Sequence, residues 1–126
     1  MTAQFVVGID LGTTNSVLAY SPLDDESPEV FVLPVPQVVA PQTVESRDML
    51  PSFLYVPTAV ERASGTLQMP GAADAGASGA SVGVIGQFAR AISAELPERT
   101  ISAAKSWLCH SRVDRRAAIL PWQAPA

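Results

Sequence analysis

The amino-acid sequence predicts an α/β fold: an antiparallel strand meander, followed by two further strands and two helices. Three observations carry this expectation. Apolar runs at 5–9, 16–21 and 30–33 are separated by short polar turns, as strands of a meander are. Two more strand-like runs follow at 50–56 and 82–85. From Gly86 the apolar spacing lengthens to a helical period, with Phe88, Ala89, Ile92 and Leu96 on one face.

Taken in order, Val6, Val7 and Ile9 supply a β-branched first strand, and Val17, Leu18, Ala19 and Tyr20 a second. Between them lies the polar elbow Asp10-Leu11-Gly12-Thr13-Thr14-Asn15-Ser16. The turn Asp24-Asp25-Glu26-Ser27-Pro28, read as a solvated acidic turn, leads to the third strand. A proline-rich connection spans 34–41 and a polar stretch continues to Asp48. Pro51 stands at the entrance of the 50–56 strand, where a missing N–H costs little. Residues 63–81 are rich in Gly, Ala and Ser and read as a flexible loop, an expanded turn before strand character resumes at 82. The first helix must end at Pro97. A second is expected from Thr100, a good N-cap, to about His110, with Ile101, Ala104 and Leu108 as its apolar stripe and Lys105 at the stripe's border. Ile119-Leu120-Pro121-Trp122 has the character of a further strand.

The composition excludes several classes of function. Apolar residues make up 48% of the 126, which is globular material. The formal net charge is −4, and the one basic cluster, Arg112, Arg115 and Arg116, is offset by Asp114, so nucleic acid has no electrostatic footprint here. A single cysteine, Cys109, rules out an internal disulfide and fits a reducing compartment. It is expected to be a small buried apolar residue, with His110 at a helix end. No signal-like segment opens the chain, and the apolar stretch 30–39 is interrupted by Pro34 and Pro36. The expectation is a cytoplasmic protein without a membrane partner.

The elbow carries the chemistry. Gly8 and Gly12 allow close backbone approach to a ligand, and Gly12 tolerates positive φ. The amides beyond Gly12, with the Thr13 and Thr14 hydroxyls, suit an anion. A carboxylate, Asp10, inside an anion site implies a shared cation, and Mg²⁺ with a nucleotide fits best. The stretch is not a Walker A loop, which needs a lysine here, nor a dinucleotide fingerprint, since the G-x-G-x-x-G spacing is absent. Spacing alone leaves an ordinary polar hairpin turn open as the alternative.

Gly8-Ile9-Asp10-Leu11-Gly12-Thr13-Thr14-Asn15-Ser16 resembles the first phosphate-binding hairpin of the 70-kilodalton heat-shock chaperones (DnaK type), an elbow shared with actin-like ATPases and sugar kinases. Leu50-Pro51-Ser52-Phe53 resembles the family's proline–serine strand entrance, and Val84-Ile85-Gly86-Gln87-Phe88-Ala89 its V-G-Q-x-A segment. The latter leads at the family's spacing to Thr100-Ile101-Ser102-Ala103-Ala104-Lys105. Ser106-Trp107-Leu108-Cys109-His110 departs from the common wording and is similar to a divergent bacterial branch.

The resemblance implies part of an actin-like (ribonuclease H-like) ATPase lobe over residues 1–126, with ATP and Mg²⁺ as cofactors. Gly12, Thr13, Thr14 and Asn15 would cradle phosphates, and Asp10 would hold hydrated Mg²⁺. Lys105 would be the catalytic residue, stabilising charge on the transferred phosphoryl group. By its residue type alone, Lys105 reads as a surface lysine over the apolar stripe. The partners implied are ATP and ADP and, in the intact protein, unfolded polypeptides and co-chaperones. The family's second phosphate loop, its second Mg²⁺ carboxylate and its adenosine pocket have no counterpart in these residues. The chain is therefore expected to be a fragment, marginally stable, with apolar faces exposed and without ATP turnover of its own. Two alternatives stay open: a fragment of an actin-like small-molecule (sugar) kinase, and a non-catalytic scaffold.

Overall fold

The computed structural model describes residues 2–23, 26, 28–70, 83–114 and 116–121. Among them are nine strands and three short helices. The mixed α/β class is as expected, and all pairings are antiparallel.

Strands β1 (Phe5–Leu11) and β2 (Asn15–Pro22) form the expected hairpin, paired from Phe5 with Pro22 to Leu11 with Ser16. The opposite edge of β2 is shared. Strand β3 (Phe31–Val32) pairs with Ala19 and Tyr20, completing the meander, while β6 (Leu50–Pro51) pairs with Asn15 and Ser16 beside the elbow. Tyr20 stacks on Phe31 at 5.6 Å and meets Phe5 edge-on at 5.7 Å. The outer edge of β1 has no partner among the described residues. Phe5, Val6, Val7, Ile9 and Leu11 are all more than half exposed, which matches the expected uncovered apolar faces.

The proline-rich connection is in fact a hairpin, β4 (Val35–Ala40) with β5 (Thr43–Arg47). Pro36 fits because the two-stranded sheet pairs each strand on one edge only. Pro41 followed by Gln42 at φ 61° makes the tight turn, the residue pattern a type II turn requires. The 50–56 run is divided at Ser52. Its first part, β6, joins the elbow sheet, and β7 (Phe53–Tyr55) is the centre of a third sheet between β8 (Val84–Ile85) and β9 (Thr100–Ser102).

The expected loop at 63–81 begins inside a helix. Helix α1 (Ala59–Ser64) is capped reciprocally by Thr58 and Glu61 and ends at Gly65 in the left-handed conformation. Leu67 is then buried and Met69 packs against the core, so 63–70 is ordered by packing. Residues 71–81 lie outside the described residues, as do most of the acidic turn and Trp122. Residues 119–121 form no strand.

Helix α2 (Gln87–Ile92) buries Phe88 and Ala89, and Ile92 and Leu96 pack beside them, so the predicted face is the core face. The core unites Val38 of β4, Tyr55 of β7, Leu67, Val84 of β8, Phe88 and Ala89. Tyr55 and Phe88 meet edge-to-face at 5.7 Å. Gln37, 2% exposed, ties these pieces together: its side-chain nitrogen donates to the Met49 carbonyl at 3.0 Å, and its oxygen accepts from the Gln87 amide at 2.8 Å.

The second expected helix is largely replaced. After a 3₁₀ turn at Pro97–Arg99, Thr100 and Ile101 enter strand β9 opposite Tyr55 and Leu54. Buried Thr100 uses its hydroxyl on the Leu96 carbonyl (2.9 Å), not as a helix cap. β-Branched residues beside an open strand edge gain more from the ladder than from a cap. Only one helical turn remains, α3 (Ala104–Trp107), entered through Ala103 at φ 50°. The expected stripe does not form: Ile101 belongs to the strand, and Ala104 and Leu108 are exposed. Cys109 is exposed as well, correcting the expectation of burial, because so short a helix has no buried face. No helix among the described residues is long and apolar enough to cross a membrane.

Candidate functional site

The candidate site is the β1–β2 elbow. Pairing continues to Leu11 and Ser16, so residues 12–15 must reverse the chain. The Gly12 amide donates across the turn to the Asn15 carbonyl at 2.9 Å. Gly12 does not use positive φ, in contrast to the expectation. Glycine is required for another reason: a Cβ there would overlap the carbonyl oxygen of Asn15.

Three elbow carbonyls are claimed from elsewhere in the chain. The Ser52 amide donates to Thr14 O at 2.9 Å, and the Ser52 hydroxyl donates to Gly12 O at 2.9 Å. The Lys105 ammonium donates to Leu11 O at 2.7 Å. The backbone amides of Thr13 and Thr14, and both threonine hydroxyls, make no hydrogen bond among the described residues, and both threonines are exposed. The Leu11, Gly12 and Thr14 acceptors are therefore held by the protein, while the Thr13 and Thr14 donors have no protein partner among the described residues. Successive free N–H groups of this kind are what anion-binding concavities are made of.

The arrival of Lys105 follows from the topology. Strand β6 pairs with the start of β2, Ser52 redirects the chain into β7, and Phe53 of β7 pairs with Ser102 of β9. The end of β9 is thereby held next to the elbow. Ala103 at φ 50° turns the chain into α3, whose second residue is Lys105. This is the only lysine of the chain, and it crosses 94 residues of sequence to reach Leu11.

Asp10 lies on β1 opposite Val17, exposed, and its carboxylate makes no hydrogen bond or ion pair among the described residues. The ion pair found among them, Arg47 with Glu45 at 2.7 Å, lies on β5, so Lys105 and Asp10 do not neutralise each other. No group of three or more His, Cys, Asp or Glu side chains able to hold a metal occurs among the described residues. Mg²⁺ keeps most of its waters and takes phosphate oxygens as ligands, so a single carboxylate such as that of Asp10 is chemically compatible with it.

Lys105 is thus brought to the elbow at Leu11, and Asp10 precedes Leu11 on β1, its carboxylate bonded to neither among the described residues. Sequence reasoning missed the grip of Ser52, although the Pro51-Ser52 pair had been singled out as a motif. A separate polar cluster joins Tyr55, Thr58 and Glu61, one carboxylate oxygen of which accepts from the Thr58 amide (2.8 Å), the Thr58 hydroxyl (2.8 Å) and the Tyr55 hydroxyl (2.9 Å). These donors, the Thr58 amide first, hold the Glu61 carboxyl below its ordinary range. Burial, with the Glu61 hydrogen bond second, pushes the Tyr55 phenol up. The cluster caps α1 and is joined to the core through Tyr55 of β7.

Comparisons with protein-family models, with curated proteins and with solved structures give no match to this chain.

Proposed function

We propose that the elbow is a nucleotide-phosphate site and that the chain is the ATP-binding part of a heat-shock-type molecular chaperone. The observation that carries this reading is the Lys105 ammonium at 2.7 Å from the Leu11 carbonyl, beside two unused amides. An ordinary polar turn has no need of a cation delivered from the far end of the chain.

The residues divide the work as follows. Gly12, Thr13, Thr14 and Asn15 bind the phosphates, with the Thr13 and Thr14 amides and hydroxyls as donors. An ammonium has three N–H groups. One of those of Lys105 is used on Leu11, and the others serve phosphoryl oxygens. Its charge favours the transition state, where negative charge spreads over the phosphoryl oxygens during transfer to water. Asp10 is the residue that would hold hydrated Mg²⁺, which supplies further charge neutralisation to the phosphates. In the intact protein, ATP turnover would alternate the affinity for unfolded polypeptides, with co-chaperones as further partners.

With phosphates as the recognised group, affinity for Mg-ATP is expected near about 1 mM, or roughly −4 kcal/mol. Calorimetric titration at high protein concentration tests the reading. Lys105→Ala is expected to weaken Mg-ATP roughly tenfold, since a charge-assisted bond contributes about 1.5–3 kcal/mol. Equal binding by both proteins, or none by the wild type, would overturn it.

A further inference from the structure

We infer that Ser52 is the positioning residue of the elbow: its hydroxyl fixes the Gly12–Thr13 peptide so that the Thr13 amide faces an incoming phosphate. The inference rests on the phosphate-site reading for its ligand, and on geometry for the rest. A trans peptide is planar, so its C=O and N–H point in opposite directions. The Ser52 hydroxyl binds Gly12 O at 2.9 Å, which aims the Thr13 N–H away from the protein. That amide has no hydrogen bond among the described residues, as an outward-facing donor should not.

The Ser52 amide grips the other side of the turn through Thr14 O, also at 2.9 Å. One residue therefore brackets the elbow with two donors. Its own position is fixed from both directions. Pro51 before it pairs with Asn15, and Phe53 after it pairs with Ser102. Ser52 stands where the chain passes from the elbow sheet to the Lys105 sheet, so the two halves of the site share a single anchor. A turn glycine followed by Thr13 has little else to prevent the Gly12–Thr13 peptide from rotating, since that linkage lies outside both strands. Rotation would present a carbonyl oxygen to the phosphate in place of a donor.

The test uses Ser52→Ala, which removes the hydroxyl but keeps the hydrogen bond from its backbone amide to Thr14 O, and Ser52→Thr, which restores a hydroxyl. Amide ¹⁵N relaxation of residues 12–15 is recorded on the ligand-free full chain, and Mg-ATP affinity is measured on the same samples. Ser52→Ala is expected to lower the heteronuclear NOE at Thr13 while that of β7 and α2 amides stays unchanged. It is also expected to weaken Mg-ATP roughly threefold or more, the loss of one hydrogen bond. Ser52→Thr is expected to restore both. An unchanged Thr13 amide in Ser52→Ala, or unfolding of the entire chain, would refute the specific role. A loosened Thr13 in a protein whose wild type does not bind Mg-ATP would uphold the positioning role and reject the nucleotide reading.

Discussion

Replacing Gly12 with alanine is expected to break the elbow, whereas the same change at Gly8 is expected to be harmless. The two glycines are neighbours in one motif and differ in what a methyl group would meet. At Gly12 a Cβ would overlap the Asn15 carbonyl oxygen and lie 3.4 Å from its carbonyl carbon, both fixed backbone atoms. Restoring ordinary contact requires a displacement of about 1 Å. That movement takes the 2.9 Å bond from the Gly12 amide to Asn15 out of range. Overpacking at about 1–3 kcal/mol and a lost hydrogen bond at about 0.5–1.5 kcal/mol together put the cost near 2–4 kcal/mol. With a urea slope of about 2 kcal/mol per molar, the unfolding midpoint falls by roughly 1–2 M. At Gly8 nothing lies within 4 Å of the added methyl. Alanine there narrows the unfolded ensemble and is expected to be neutral or to stabilise by up to about 1 kcal/mol. Urea unfolding of the two variants, followed by far-ultraviolet circular dichroism, reads both effects. A Gly12→Ala midpoint within error of wild type, or equal losses for both variants, would refute the contact reasoning.

Further outcomes follow from other parts of the molecule. Gln37→Leu leaves the Gln87 amide and the Met49 carbonyl without their partner, and is expected to cost about 2–4 kcal/mol in urea unfolding. Glu61, whose carboxyl is held below its ordinary value, binds fewer protons folded than unfolded. Its contribution is therefore complete above the ordinary glutamate range and is lost as pH falls through the lowered folded value. Thermal unfolding across that acid window should fall more steeply for wild type than for Glu61→Gln. Val7→Lys puts a charge on the exposed β1 strand, whose outer edge has no partner among the described residues, and is expected to reduce self-association in sedimentation velocity at raised concentration.

Local pattern made some of this fold legible and tertiary contact decided the rest. The β1–β2 hairpin and the α2 face could be read because alternation and helical period act within a few residues. Thr100 could not, since threonine serves both as a cap and as a strand residue, and the open edge of β7 decides between them. The proline-rich β4 was hidden because proline argues against a strand except on an edge, and edges are a property of the assembled sheet. Helix α1 was legible and passed over: Thr58-Ala59-Val60-Glu61 has the spacing of a capping box. In the site, the elbow residues stood out by composition. The role of Lys105 came from resemblance alone, and its contact with Leu11 depends on β9, which the sequence had presented as helix. Ser52 stood in a motif whose resemblance gave it no contact, and nothing local marks Gln37; the Gly12 and Gln87 groups they bind lie 40 and 50 residues away.

The most direct measurement is an amide-resolved magnetic-resonance titration of the full chain with Mg-ATP, repeated with Mg-pyrophosphate. The phosphate-site proposal expects Thr13 and Thr14 to show the largest shifts with both ligands, and these to shrink in Lys105→Ala. Shifts centred elsewhere, or an elbow that does not respond to either ligand, would contradict it.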